Sequence, residues 1–185
     1  MSQIPEYGVL RKMAEEKLGK ALNGVCSIRR VHGYDEDILD IIRVIDHRKF
    51  REELQYNGDE IEERMRKTGF QCFLVYLDDE PIAFEYGYDV SEGVYFSDSQ
   101  ATLIEGKGVG TTQFAIEILY LYLHGYTCVR LSTEEKDEMG RALRSFWEHM
   151  GFVKLREDGG NVDMELLLSP EAAQRLYQKY ILPRK

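Results

Sequence analysis

Three glycines at alternate positions stand in Glu105-Gly106-Lys107-Gly108-Val109-Gly110-Thr111-Thr112, after a strand-like run and at the start of an apolar helix. Glycine lets a backbone come close to a ligand and adopt conformations that a Cβ forbids. The first N–H groups of the helix point into the loop, and the helix dipole favours an anion there. These residue types describe a backbone cradle for a phosphate or pyrophosphate, with Lys107 as a nearby cation. The loop is not a P-loop, because no Gly-Lys-Ser/Thr triplet occurs. It is not the dinucleotide fingerprint either, since its spacing is Gly-x-Gly-x-Gly and it lies beyond the middle of the chain. A plain glycine turn is the competing reading of the spacing alone.

The elements around this loop can be read from periodicity and turn chemistry. Residues 5–21 read as a mixed-charge peripheral helix, and Val25 to Val31 as a first strand. Asp35, Glu36 and Asp37 crowd a helix start, where carboxylates suit the dipole, and Ile38, Leu39, Ile41, Ile42 and Ile45 follow at helical spacing. Asn57-Gly58-Asp59 caps a second helix that runs to about Lys67. Phe70 to Leu77 is a buried strand. Ile82, Phe84, Tyr86 and Tyr88 alternate with Ala83, Glu85 and Gly87 as its hairpin partner. A strand from Val94 to Leu103 leads into the loop, and Thr111 to Leu123 is the apolar helix after it. Cys128 to Leu131 is a strand, and Glu138 to Met150 a helix closed by Gly151. Phe152 to Arg156 and Val162 to Leu168 are two further strands. Ser169-Pro170-Glu171 opens a final helix with a cap, a proline and an early acid. The order is β-α-α-β-β-β-α-β-α-β-β: one mixed α/β domain over residues 1–185, with its core at about 26–168.

Composition narrows the function classes. The 185 residues are 43% hydrophobic and 31% charged, enough for a core and a soluble surface. A net charge of −9 argues against a nucleic-acid partner and suits a cationic substrate such as an amine. Cys26, Cys72 and Cys128 each sit in an apolar run, as buried thiols do, and no Cys/His cluster points to a metal. Charges from Glu6 to Glu16 leave no secretory h-region, and Glu117 breaks the longest apolar run, so a cytoplasmic protein off the membrane is expected.

The element order, the glycine loop and Ser145-Phe146-Trp147-Glu148-His149-Met150-Gly151-Phe152 together resemble the GCN5-related N-acetyltransferase (GNAT) superfamily. The resemblance spans roughly Cys26 to Leu168. It implies a central, mostly antiparallel sheet of about seven strands flanked by helices, and acetyl-CoA as cosubstrate. In that family the fourth and fifth strands splay apart around the pantetheine. The pyrophosphate would then lie on Gly106, Lys107, Gly108, Val109, Gly110 and Thr111. Backbone groups at Gln100, Ala101, Thr102 and Leu103 would pair with the pantetheine. Three positions depart from the family pattern: Glu105 replaces Gln or Arg, Gly140 replaces an Asn, and Trp147 replaces the Tyr that protonates the leaving thiolate. Trp147 reads as a core or cofactor-packing aromatic.

Acetyl transfer to an amine needs a neutral nucleophile, a stabilised oxyanion and a proton for the thiolate. Strand alternation sets Val94, Phe96, Asp98 and Gln100 on one face, and makes Asp98 the first candidate base. Glu85 is the second. Tyr86, Tyr88, Tyr95 and Ser145 are candidate proton donors, whereas His149 reads as an ordinary helix residue. Asp46, His47, Glu52, Glu53, Tyr56 and Asp89 form an acidic, aromatic rim for a cationic acceptor. Two other functions stay open: a CoA-binding module without turnover, and a binder of another phosphorylated ligand. A homodimer through a sheet edge or the terminal helices is also allowed.

Overall fold

The computed structural model describes residues 3–136 and 142–182. Seven strands form one sheet: β1 (Cys26–His32), β2 (Gln71–Leu77), β3 (Glu80–Ser91), β4 (Val94–Thr102), β5 (Cys128–Glu134), β6 (Val153–Asp158) and β7 (Asn161–Leu167), in the order β1-β2-β3-β4-β5-β7-β6. Every neighbouring pair is antiparallel except β4 and β5, which are parallel. The helices are α1 (Tyr7–Leu22), α2 (Glu36–Lys49), α3 (Gly58–Met65), α4 (Val109–Leu123), α5 (Leu143–Met150) and α6 (Pro170–Leu176). A short 3-10 turn, Glu52–Leu54, lies between α2 and α3.

The sheet is covered on both faces, and each cover has its own core. On one face α1, α4 and α6 bury Phe73, Val75, Tyr95, Val129 and Met164. On the other, α2 and α3 bury Leu74, Tyr76, Phe84, Tyr86 and Ala101. Local chemistry fixes the helix ends. Asp35 caps α2 by accepting from the Ile38 N–H at 3.1 Å. Asn57 and Glu60 form a reciprocal capping box on α3. α4 is apolar almost all round because it lies under the middle of the sheet, buried from Val109 to Leu121 with few breaks.

Three elements differ from the sequence expectations. The first helix is not peripheral: Leu10, Ala14 and Leu18 point inward at i, i+4 and i+8 with no exposure, and Tyr7 packs edge-on against Tyr120. Its mixed charges occupy only the outer face. β5 runs to Glu134, because β7 pairs with it along its whole length. The helix expected from Glu138 begins at Leu143 in the described structure; residues 137–141, with Gly140, lie outside the described residues.

Leu18→Ala should destabilise the fold by about 3 kcal/mol, the cost of a cavity in a packed core. Urea unfolding measures it. A loss within ordinary surface effects, about 0.5 kcal/mol, would return α1 to the periphery.

Candidate active site

β4 and β5 share only three rungs, Val94↔Cys128, Tyr95↔Val129 and Phe96↔Arg130. Beyond these, β4 continues to Thr102 and β5 to Glu134 without pairing to each other. The two strands thus enclose a wedge that opens toward their C-terminal ends. The β5-facing edge of β4 is left as a strand edge, which an extended amide chain can pair with. A bulge sits at the apex. Tyr86 pairs with Ser99 and Gly87 with Ser97, so Asp98 is an extra residue. This corrects the expected alternation: Asp98 turns toward α3, whereas Gln100 turns to the α4 face and donates to the Gly110 carbonyl at 2.8 Å. The Leu103 N–H donates to the Ile82 carbonyl at 2.8 Å, so Leu103 turns its amide toward β3 and not toward the wedge.

At the open end, the loop 103–108 leads into α4. Gly106 and Gly108 have φ of 72° and 79°, in the left-handed region that glycine favours. Gly108 is the N-cap and supplies no side chain, so no cap competes for the first N–H groups of α4. A Cβ at Gly106 would meet nothing within 4 Å; the loop is open toward solvent. Lys107 is exposed there. Glu105 does not leave a bare negative charge at the cradle, because Lys49 at the end of α2 pairs with it. Two residues on, Arg51 pairs with Glu134 at the end of β5, at 2.8 Å. The α2–α3 connection is thereby tied to both banks of the wedge.

The two candidate bases have different surroundings. Asp98 is nearly buried and accepts from Arg64 Nε at 2.8 Å; Arg64 in turn stacks over Tyr56 at 3.8 Å. Burial, and then the nearby Asp98 carboxylate, hold the Tyr88 phenol protonated. Glu85 does not face the wedge. It is wholly buried on the α4 side, where it meets Glu117. Position 85 has the same parity as Ala83, and both point into the α4 core. Among the candidate donors, Tyr86 and Tyr95 are buried without exposure. Ser145 is exposed on α5, with its carbonyl bonded to His149 Nδ1 at 2.6 Å. Trp147 packs at 4.7 Å from both Phe114 and Phe146, and 5.8 Å from Phe152, in an aromatic cluster between α4 and β6. Ser145 and Trp147 therefore do not share a face.

The acceptor rim divides in the same way. Asp46, His47, Glu52, Glu53 and Tyr56 lie in or beside the α2–α3 connection. Asp46 is buried, accepts from the Tyr56 N–H at 3.1 Å, and has its other oxygen without a donor. Burial pushes its carboxyl up to about 6. Asp89 is misplaced in the expected rim. It pairs opposite Tyr95, at the closed end of the wedge, and accepts from Tyr126 at 2.8 Å. Lys49, Arg51, Arg64 and Glu134 are the residues that sequence reasoning missed. Each acts through a partner far along the chain, so no local pattern marks it.

No protein-family model matches this sequence, and no curated protein matches it. Solved structures do match in fold. The ribosomal-protein-S18-alanine N-acetyltransferase from Escherichia coli superposes with a TM-score of 0.65 at 14% identity, over 78% of this chain and 95% of that one. The PaiA N-acetyltransferase from Thermoplasma acidophilum, solved in complex with coenzyme A, gives 0.61 at 15% identity, over 77% and 99%. An aminoglycoside 6'-acetyltransferase type Ii gives 0.62 at 16% identity, over 85% and 99%. The chain has the fold of the GCN5-related N-acetyltransferases. Among the described residues, no helix is long and apolar enough to cross a membrane.

Asp46 makes a testable contribution to stability. Its folded state favours the neutral carboxyl, so the contribution is complete below about pH 4, the unfolded value. It is lost as pH rises through about 6. Asp46→Asn keeps an acceptor for the Tyr56 N–H and removes the charge. Relative to wild type, the variant should gain roughly 2 kcal/mol between pH 4 and pH 7 in denaturant titrations. Parallel curves would show that Asp46 ionises at no cost.

Proposed function

We propose that this chain is an acetyl-CoA-dependent N-acetyltransferase, a cytoplasmic single-domain enzyme that moves an acetyl group directly to a primary amine. The observation that carries this reading is the wedge between β4 and β5, with an uncapped helix N-terminus and a glycine loop at its open end. An extended amide arm ending in a pyrophosphate is complementary to that pair of features. The backbone N–H groups of Gly106 to Thr111 would hold the pyrophosphate, with Lys107 and Lys49 as nearby cations. The free edge of β4, from Gln100 to Thr102, would pair with the pantetheine arm. Acetyl-CoA supplies the electrophilic thioester carbon.

The chain's own residues must then handle protons. Asp98 stands at the apex of the wedge and takes the proton that an ammonium acceptor must lose before it attacks. Arg64 holds its carboxylate in place. The net charge of −9 and the acidic residues Glu52, Glu53 and Glu134 favour a cationic acceptor. The spermidine/spermine N-acetyltransferase SpeG from Vibrio cholerae and the aminoglycoside enzyme, both similar in fold, are named for such amines. A second reading is a CoA-binding module without turnover. It draws support from Trp147, locked in its aromatic cluster, and from Asp98, already engaged by Arg64.

Calorimetric titration should show that CoA and acetyl-CoA bind and ATP does not. Thiol release with a polyamine, an amino sugar, a lysine peptide and an N-terminal α-amine then screens acceptors. Asp98→Asn should lower kcat/KM by about 10²–10⁴-fold, the range for a lost general base, with CoA affinity retained. CoA binding without release for any amine would favour the binding module. Absence of CoA binding would overturn both readings.

A further inference from the structure

Glu85 on β3 and Glu117 on α4 are both completely buried, and their carboxyl groups lie within hydrogen-bonding reach of each other. Among the described residues, no basic side chain acts on either of them. The polar and titratable groups around the pair are Ser97 and Tyr95 from β4 and Cys72 from β2. Ser97 donates to Glu85 Oε1 at 3.3 Å. Tyr95 lies close to Glu117 and donates to the Gln71 carbonyl at 3.3 Å. The neighbouring buried Gln113 spends its amide on the Phe73 carbonyl at 2.7 Å. With both carboxyls ionised, Glu85 Oε2 and both oxygens of Glu117 lack a donor. Two touching carboxylates in a dry core are a forbidding arrangement, since both repel and neither can donate. One proton between them converts two acceptors into a donor and an acceptor.

The pair lies directly behind the wedge. Ser97 is the first β4 residue past the last rung with β5, and it precedes the bulge. Glu85 is opposite Gln100, which is clamped to Gly110 in the first turn of α4. Glu117 is on that same helix, whose N-terminus forms the cradle. We propose that Glu85 and Glu117 share one proton and that this proton holds α4 against the β4 bulge, so the pair is a positioning device for the CoA wedge that releases at alkaline pH. Loss of the proton sets two negative charges face to face. Relief comes from parting α4 from β3 or from admitting water. Either movement shifts the cradle relative to the β4 edge. The effect on CoA rests on the CoA-binding role proposed above; the shared proton does not.

The experiment titrates CoA into wild type and Glu117→Gln from neutral into alkaline pH, the direction in which a buried shared proton is lost. The amide introduced by Glu117→Gln donates to Glu85 permanently and cannot lose that proton. Wild type should lose about tenfold or more in CoA affinity over the range, the size of a modest site-to-site coupling. The variant should lose far less, although the ligand's own titration is common to both. Equal losses would overturn the positioning role. If Glu117→Gln does not fold, Glu85→Gln carries the same comparison. If wild type binds no CoA at any pH, the CoA-binding proposal fails, and infrared difference spectroscopy decides the pair by itself. A protonated-carboxyl band at neutral pH that is altered in either glutamine variant supports the shared proton. Absence of that band overturns it.

Discussion

At Ser97–Ser99, β4 carries one residue more than β3 opposite it, and the ladder leaves Asp98 out. An extra residue bends a strand and sharpens its twist. β4 stays paired to β3 along its length, while β5 is paired to β7 from Cys128 to Glu134. Each strand follows its outer neighbour, so the two inner ones separate after three rungs. The wedge, the outward turn of Asp98 and the inward turn of Gln100 all follow from that divergence. Without the bulge, Gln100 would face away from α4, and the loop would lose the contact that ties it to β4.

The wedge also determines where charge can be tolerated. A helix start with no side-chain cap leaves donors for a ligand and forgoes a cap worth about 1 kcal/mol. A carboxylate at Glu105 would oppose an anion there, yet Lys49 reaches it from the end of α2. Arg51 does the same for Glu134 across the gap. Both ion pairs are partly exposed, so they contribute little to stability. Their effect is positional: they tie the α2–α3 connection to both banks of the wedge at its open end. Inside, the arrangement is reversed. Glu85 and Glu117 have no cationic partner among the described residues, and only a proton can reconcile them.

Much of this was legible in the sequence because it is locally encoded. The caps at Asp35 and Asn57, the β2–β3 hairpin and the glycine loop all depend on residues a few positions apart. The resemblance of the loop and late helix to the acetyltransferase pattern led to the observed fold. What stayed hidden depends on register and on long-range packing. One bulge reverses every side chain after Asp98, and periodicity contains no sign of it. The pairs Arg64–Asp98 and Lys49–Glu105 span 34 and 56 residues. Glu117 shows in the sequence only as a break in an apolar run; its partner becomes visible once α4 is laid across β3. Trp147 was legible as a packing residue because aromatic neighbours at Phe146 and Phe152 adjoin it in sequence.

Amide hydrogen exchange with and without CoA tests the central claim most directly, since it reports on the backbone groups that would do the binding. CoA should slow exchange in two separated segments, 97–102 on the edge of β4 and 106–111 across the loop and first turn of α4, and leave the β1–β2 ladder unchanged. Protection confined to other segments, or none at saturating CoA, would contradict the wedge as a cofactor site.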